Sequence, residues 1–228
     1  QYAIGKGQTE LKAQYDLDAP ELSIPLDPEL TPLENAQRYF DKYNRAKRAL
    51  EDVPGLIEEA EHDLDFLKQL ATDVQLAANW VEIDEVVQTL QAKGIWRGKP
   101  QQKIGGQKSA PIRVVTGDGF VIWIGRNSRQ NEIVTFDKGS PMDLWLHARG
   151  VGGSHVIIKF DGRPIPERVI DGAAALAAYY SASRSEGKVI VDVTERRYVR
   201  KIKGGAVGMV TYRNESTRTV TPQAEPEF

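Results

Sequence analysis

The sequence predicts an α+β protein, a long coiled-coil helix arm followed by a compact mixed α+β domain. Three observations predict it. Apolar residues recur with heptad spacing over residues 36–74, short alternating segments surround one Ala-rich stretch after residue 112, and charge reverses between the two regions. Residues 1–96 hold 9 Lys/Arg against 19 Asp/Glu, whereas residues 97–218 hold 21 against 11. A partition this clean marks two units with different partners, the basic one suited to a polyanion.

Composition narrows the classes. The 228 residues are 40% hydrophobic, enough to bury a core, and no apolar run reaches the length a bilayer requires. Cysteine is absent, which removes disulfides, thiolate nucleophiles and classical zinc sites together. His62, His147 and His155 are scattered and supply no metal spacing, so no metal or cofactor is expected. The chain opens on Gln1 without a basic-then-apolar leader, and a cytoplasmic fragment or processed product is expected.

Residues 1–32 read as a small β/turn cap, with short strands at 10–13 and 22–26. The arm spans 33–96. Stepping alternately three and four residues from Ala36 meets Tyr39, Tyr43, Ala46, Leu50, Val53, Ile57, Ala60, Leu64, Leu67, Ala71 and Val74, all apolar. A 3.5-residue period keeps one seam toward a partner helix, though an amphipathic helix in an ordinary bundle is the alternative. Thr31-Pro32-Leu33-Glu34 has the form of a capping box with Pro at the first helical position. Pro54-Gly55 predicts a bend rather than a break, because the seam keeps phase across it. A helix over 33–77 would run roughly 65 Å. The second helix, residues 81–93 before Gly94, is too short to cover it, so the seam requires a helix from another chain or from the parent protein.

Residues 97–111 read as a polar linker, 112–222 as the basic domain and 223–228 as a tail. A hairpin is expected over 112–124, further strands at 143–148, 155–160, 188–193 and 208–212, and one helix over 166–183. Strands around one helix make a compact α+β domain.

Alternation in the strand at 143–149 puts Leu144, Leu146 and Ala148 on one face and Asp143, Trp145, His147 and Arg149 on the other. On an accessible face the Trp would stack on a base and the cations would meet phosphate. If the sheet is covered on both sides, Trp145 is core instead. Gly150-Val151-Gly152-Gly153-Ser154 is a phosphate-facing turn or simply a tight one. Arg126, Asn127, Arg129, Gln130 and Asn131 carry groups suited to base edges or to closing a turn on itself. Arg196, Arg197, Arg200, Lys201 and Lys203 surround Tyr198 and form the strongest local charge feature, an RNA contact or a solvated basic loop. No nucleophile or paired carboxylate is placed beside His147, so the chain is not expected to be an enzyme.

The stretch from Asp143 to Gly150 (DLWLHARG), continuing through Gly153-Ser154-His155-Val156-Ile157-Ile158, resembles the signature of the RNA-binding domain of the NFACT family. Residues 125–131 and Val199-Arg200-Lys201 fit the same pattern, and Leu26-Asp27-Pro28, Asn35 to Phe40 and Tyr43 to Lys47 look like the family's middle region. Three departures stand out: Leu144 after Asp143, Gly152-Gly153 where many members have Pro-Gly, and Ile202 where members have Pro. The resemblance implies contacts to rRNA and tRNA on obstructed large ribosomal subunits, and support of C-terminal alanine tailing of stalled nascent chains. It also assigns RNA contact to His155 and Ser154 besides the residues above, and implies that the N-terminal domain and the outgoing arm helix lie outside this chain. Some members have long been described as fibronectin-binding proteins, which makes a protein-interaction module the rival expectation.

Overall fold

The computed structural model describes residues 5, 7–14, 20–98 and 108–228, so most of the expected linker, residues 99–107, lies outside the described residues. The chain folds as two compact units, residues 1–60 and 61–228. Residues 61–96, which the sequence groups with the arm, thus belong to the second unit.

In the first unit β1 (Glu10–Ala13) pairs antiparallel with β2 (Leu22–Pro25). Helix α1 (Pro32–Leu76) begins at the expected capping box: Glu34 N donates to Thr31 Oγ1, while the Glu34 carboxylate accepts from Thr31 N at 2.7 Å. Pro54 and Gly55 do not interrupt it. All twelve seam residues, from Ala36 to Val74, are exposed.

In the second unit, the last turns of α1 pack through a different stripe. Phe66 and Leu70 are buried with Val86 of α2 (Trp80–Ala92), and Leu90, Ala206 and Met209 close over them. Helix α2 therefore covers none of the seam residues. The residues it does bury are these neighbouring positions, one step round the helix.

Six strands form the main sheet: β3 (Ile112–Val115), β4 (Val121–Ile124), β5 (Leu144–Ala148), β6 (Val156–Ile158), β7 (Val189–Glu195) and β10 (Ser216–Val220). Their order is β10-β7-β5-β6-β4-β3, with every neighbour antiparallel. One face carries Ile122, Ile124, Leu146, Ala148, Val156, Ile158, Val191 and Val193, buried against α4 (Glu167–Tyr179). The alanines Ala173, Ala174, Ala177 and Ala178 face this layer with little side chain, so helix and sheet meet closely. Burying each branched aliphatic residue contributes roughly 1.5–3 kcal/mol.

The opposite face is also covered. A row across four strands, Trp123, Ile157, Trp145 and Thr194, is set by register. Above it lie Val134, from a π-helical turn (Ile133–Lys138), and Val199, Val210 and Tyr212. The π-helical turn follows the short α3 (Ser128–Glu132), and the small hairpin of β8 (Arg200–Lys201) and β9 (Val210–Thr211) completes the layer. The strands, α1, α2 and α4 fall where the sequence places them. The helical segment 128–138, the short helical turn at 196–198, β8 and β10 are not in that prediction.

Candidate nucleic-acid interface

Covering both faces decides the fate of the strand residues singled out above. Trp145 is 0% exposed, so its stacking on a base from an accessible face is ruled out in this fold; it is core. Its Nε1 donates to Thr135 Oγ1 at 3.3 Å, and Thr135 Oγ1 lies 2.8 Å from His155 Nδ1. Asp143 is also buried and accepts from Ser140 N (2.6 Å), Phe160 N (2.8 Å) and Lys159 Nζ (2.5 Å), holding the turn before β5. Arg149 donates through Nε to both oxygens of Asp192 (2.8 and 3.1 Å), and Tyr212 OH donates to Asp192 Oδ2 at 2.7 Å. Ser154 is fully buried, and its Oγ has no partner among the described residues.

The amides and cations of residues 126–131 are used inside the protein. Asn127 caps α3 by accepting from Gln130 N at 2.9 Å, and its Nδ2 donates to Glu85 of α2. Arg126 pairs with Glu82, and Arg129 pairs with Glu85 at 2.7 Å. Gln130 donates to Ser109 Oγ, while Asn131 bridges Gly153 O and His155 N. Ser128 meets the buried Asp73 of α1, whose carboxyl is pushed up to about 6 by burial despite bonds from Ser128 and Gln69. These side chains dock α1 and α2 onto the sheet rather than standing free for base edges. The Gly-rich turn is likewise occupied: Gly153 N donates to Gln69 Oε1 at 2.9 Å, and Ser154 N donates to Tyr180 O.

The C-terminal cations differ. Arg197 pairs with Glu195 and Lys201 with Glu132, both acids partly exposed. No carboxylate pairs with Arg196, Arg200 or Lys203 among the described residues. Three aromatic rings, Trp123 on β4 and Phe136 and Tyr198 outside the main sheet, are each flanked by two cations. Phe136 has Arg196 and Lys201, both at 4.8 Å; Tyr198 has Arg197 (5.0 Å) and Arg213 (5.9 Å); Trp123 has Lys138 (5.0 Å) and Arg113 (6.0 Å). Arg196 also donates to Thr135 O at 2.7 Å, and burial together with the neighbouring Arg200 charge lowers its pKa. Arg113, Lys138, Arg213 and the rings of Phe136 and Trp123 are the part of this surface that local charge density in the sequence did not reveal, because five chain segments contribute to it.

A cavity of about 330 Å³ opens elsewhere on the second unit, and the chain's three histidines converge on it. His147 and His155 meet edge to face at 5.3 Å, and Trp145 packs beneath His155 at 5.0 Å and against Tyr212 at 4.8 Å. His62, Lys68 and Gln69 of α1 form one wall, and Met209 and Tyr212 another. Burial pulls His147 down to about 4, against the opposing Asp192 charge, and holds His155 well below its ordinary value. Two glycines let the walls close. A Cβ at Gly152 would lie 2.6 Å from Thr72 Oγ1, and Gly208 has φ +83° with a Cβ position 2.5 Å from Ser128 O.

Comparison with known proteins agrees with this architecture. Residues 1–109 match the family model for NFACT N-terminal and middle domains, and residues 111–214 match that for the NFACT protein RNA binding domain. The Rqc2 homolog RqcH of Bacillus subtilis is 36% identical over 98% of this chain and 40% of its own length, and that of Streptococcus suis is 36% identical over 97% and 40%. The chain thus spans about two fifths of the curated relatives it matches. The human ribosome quality control complex subunit NEMF is 34% identical over 30% of the chain. A solved structure of the C-terminal part of the fibronectin/fibrinogen-binding protein from Streptococcus suis superposes with a TM-score of 0.75 at 37% identity, covering 86% of this chain and 78% of that one. With nearly its whole length matched and the fold shared, the chain belongs to the NFACT family and carries that family's RNA-binding domain.

Proposed function

We propose that this chain is a non-catalytic RNA-binding part of a cytoplasmic ribosome quality control factor. It acts on obstructed large ribosomal subunits through rRNA and tRNA and supports C-terminal alanine tailing of stalled nascent chains. The observation that carries the RNA contact is the set of three rings, Phe136, Tyr198 and Trp123, each flanked by two cations. Cations meet backbone phosphates, and ring faces accept unpaired bases with little sequence preference. Relatives named as RqcH and as NEMF support placing that contact in ribosome quality control. Among the described residues no helix is long and apolar enough to cross a membrane.

The exposed seam of α1 takes a helix from the remainder of a longer protein or from a second chain. An uninterrupted apolar stripe of twelve exposed residues supports this, since a lone helix gains nothing from such spacing. Single-stranded RNA and purified large subunits, titrated across a salt series, test the central claim. Affinity that is absent at low salt, or insensitive to salt, would count against it. A second reading, binding of an extracellular-matrix protein, is favoured by the name of the solved Streptococcus suis relative. Fibronectin binding without RNA binding would establish that reading instead.

A further inference from the structure

The histidine cavity is used by none of the contacts described for the basic surface. Its chemistry can be read from the hydrogen-bond chain beneath it. Trp145 Nε1 has only a proton to give, so Thr135 Oγ1 accepts it; the buried Thr135 hydroxyl proton has no other acceptor among the described residues and therefore goes to His155 Nδ1. The His155 ring proton is thereby placed on Nε2, a nitrogen with no partner among the described residues. His147 likewise has no hydrogen bond from either ring nitrogen there. Both imidazoles are neutral at pH 7, so the floor offers hydrogen-bond donors and acceptors without charge, beside the ring of Tyr212 and the thioether of Met209.

That combination discriminates among ligands. A metal ion is disfavoured, because among the described residues no three of His, Asp and Glu are set to hold one. A bare phosphate would find no cation on the floor; Lys68 stands at the wall and pairs with Asp65 at 3.1 Å. A flat aromatic ring with donors and acceptors on its edge satisfies the neutral imidazoles and the apolar sides together. The volume lies at the low end for ligand pockets, which suits one nucleoside.

We propose that this cavity receives a single unstacked nucleobase of a bound RNA strand, hydrogen-bonded to His147 and His155, with Tyr212 and Met209 along one side of it and Lys68 toward its phosphate. The inference rests on the RNA-binding function proposed above and adds a base-specific pocket to a surface otherwise made for phosphates. Trp145 and Thr135 are positioning residues here, since they fix His155 without reaching the ligand.

With only three histidines, ring nitrogen NMR of the full chain reads the pocket directly. A mixed-sequence single-stranded RNA decamer is expected to shift the His147 and His155 ring nitrogens saturably, whereas the same sequence as a duplex leaves them in place. His147→Phe keeps the ring and removes its nitrogens. It is expected to weaken single-strand binding about five- to tenfold, the size of one lost neutral hydrogen bond, without changing the salt slope. Decamer binding at full affinity to His147→Phe, with unmoved histidine signals in the wild type, would overturn the pocket and leave the RNA-binding function standing. Wild-type protein that binds no RNA would overturn both. Nucleoside monophosphates that shift the histidines as strongly as the decamer at equal concentration would overturn the RNA strand as the source of the base.

Discussion

Asp73 on α1 and Ser128 at the start of α3 are 55 residues apart in sequence and joined twice, by Ser128 N at 2.9 Å and Ser128 Oγ at 2.7 Å, both donating to Asp73 Oδ2. Gln69 donates to the other carboxylate oxygen at 2.7 Å. Asp73→Ala would leave two buried donors, Ser128 N and Ser128 Oγ, without an acceptor and would remove one of the two acceptors of Gln69 Nε2. The expected loss is about 3 kcal/mol in urea unfolding. The raised pKa adds a pH signature. Folding favours the protonated carboxyl, so the contribution is full below the unfolded value of 3.8 and is lost as pH rises through about 6. Wild type should therefore gain on Asp73→Asn as pH falls from 7 toward 4.

The two sets of cations should separate in a salt titration. Neutralising Arg196, Arg200 and Lys203 together is expected to reduce the slope of log affinity against log salt by about 2, near 0.7 for each phosphate contact to a single strand. Arg126→Gln and Arg129→Gln should leave that slope alone and instead lower stability, because their partners Glu82 and Glu85 are largely buried. An unchanged slope in the triple variant would remove the C-terminal basic segment from the interface.

His147 gives the stability a second pH dependence, of the opposite sign. Its folded pKa, about 4, is below the ordinary value of 6.5, so its neutral burial contributes fully above 6.5 and is lost as pH falls through about 4. His147→Phe should match wild type more closely at pH 7.5 than at pH 4.5, where the variant should be relatively more stable. Urea midpoints at pH 7.5, 5.5 and 4.5 measure the difference, and a gap independent of pH would mean that His147 is not buried neutral.

On α1, neighbouring positions should respond in opposite ways. Phe66→Ala, in the packed stripe, is expected to cost about 3–5 kcal/mol. Leu50→Asp and Ile57→Asp, 78% and 53% exposed, should change the stability of this chain by less than about 0.5 kcal/mol. In a longer protein that supplies a helix for the seam, the same two substitutions should be strongly destabilising, which thermal unfolding of both forms would reveal.

Much of the fold was legible in sequence because it rests on periodicity. The strand alternation and the Ala-rich helix write their burial into residue spacing, and the heptad stripe writes the helical length of α1 into it. The candidate site was less legible for the same reason. Alternation correctly separated Trp145 from Leu144 and Leu146, but it cannot say what lies over either face. The cover comes from residues 133–138 and 199–212, which are distant in sequence. Arg126 and Arg129 looked free because Glu82 and Glu85 reach them from more than forty residues away. The histidines looked scattered because only the tertiary fold gathers them.

The compact unit that begins at residue 61 has a consequence for how such proteins can be recombined. A chimera joining residue 112 onward to a foreign arm would discard Asp73, Glu82 and Glu85, strand Ser128, Arg126 and Arg129, and unroof the cavity beside Gly152. Crossovers that preserve folding are expected instead within α1 ahead of Glu61, where the exposed helix makes no such commitments. The exchangeable module therefore begins in the middle of a helix, where a boundary drawn from secondary structure alone would never cut.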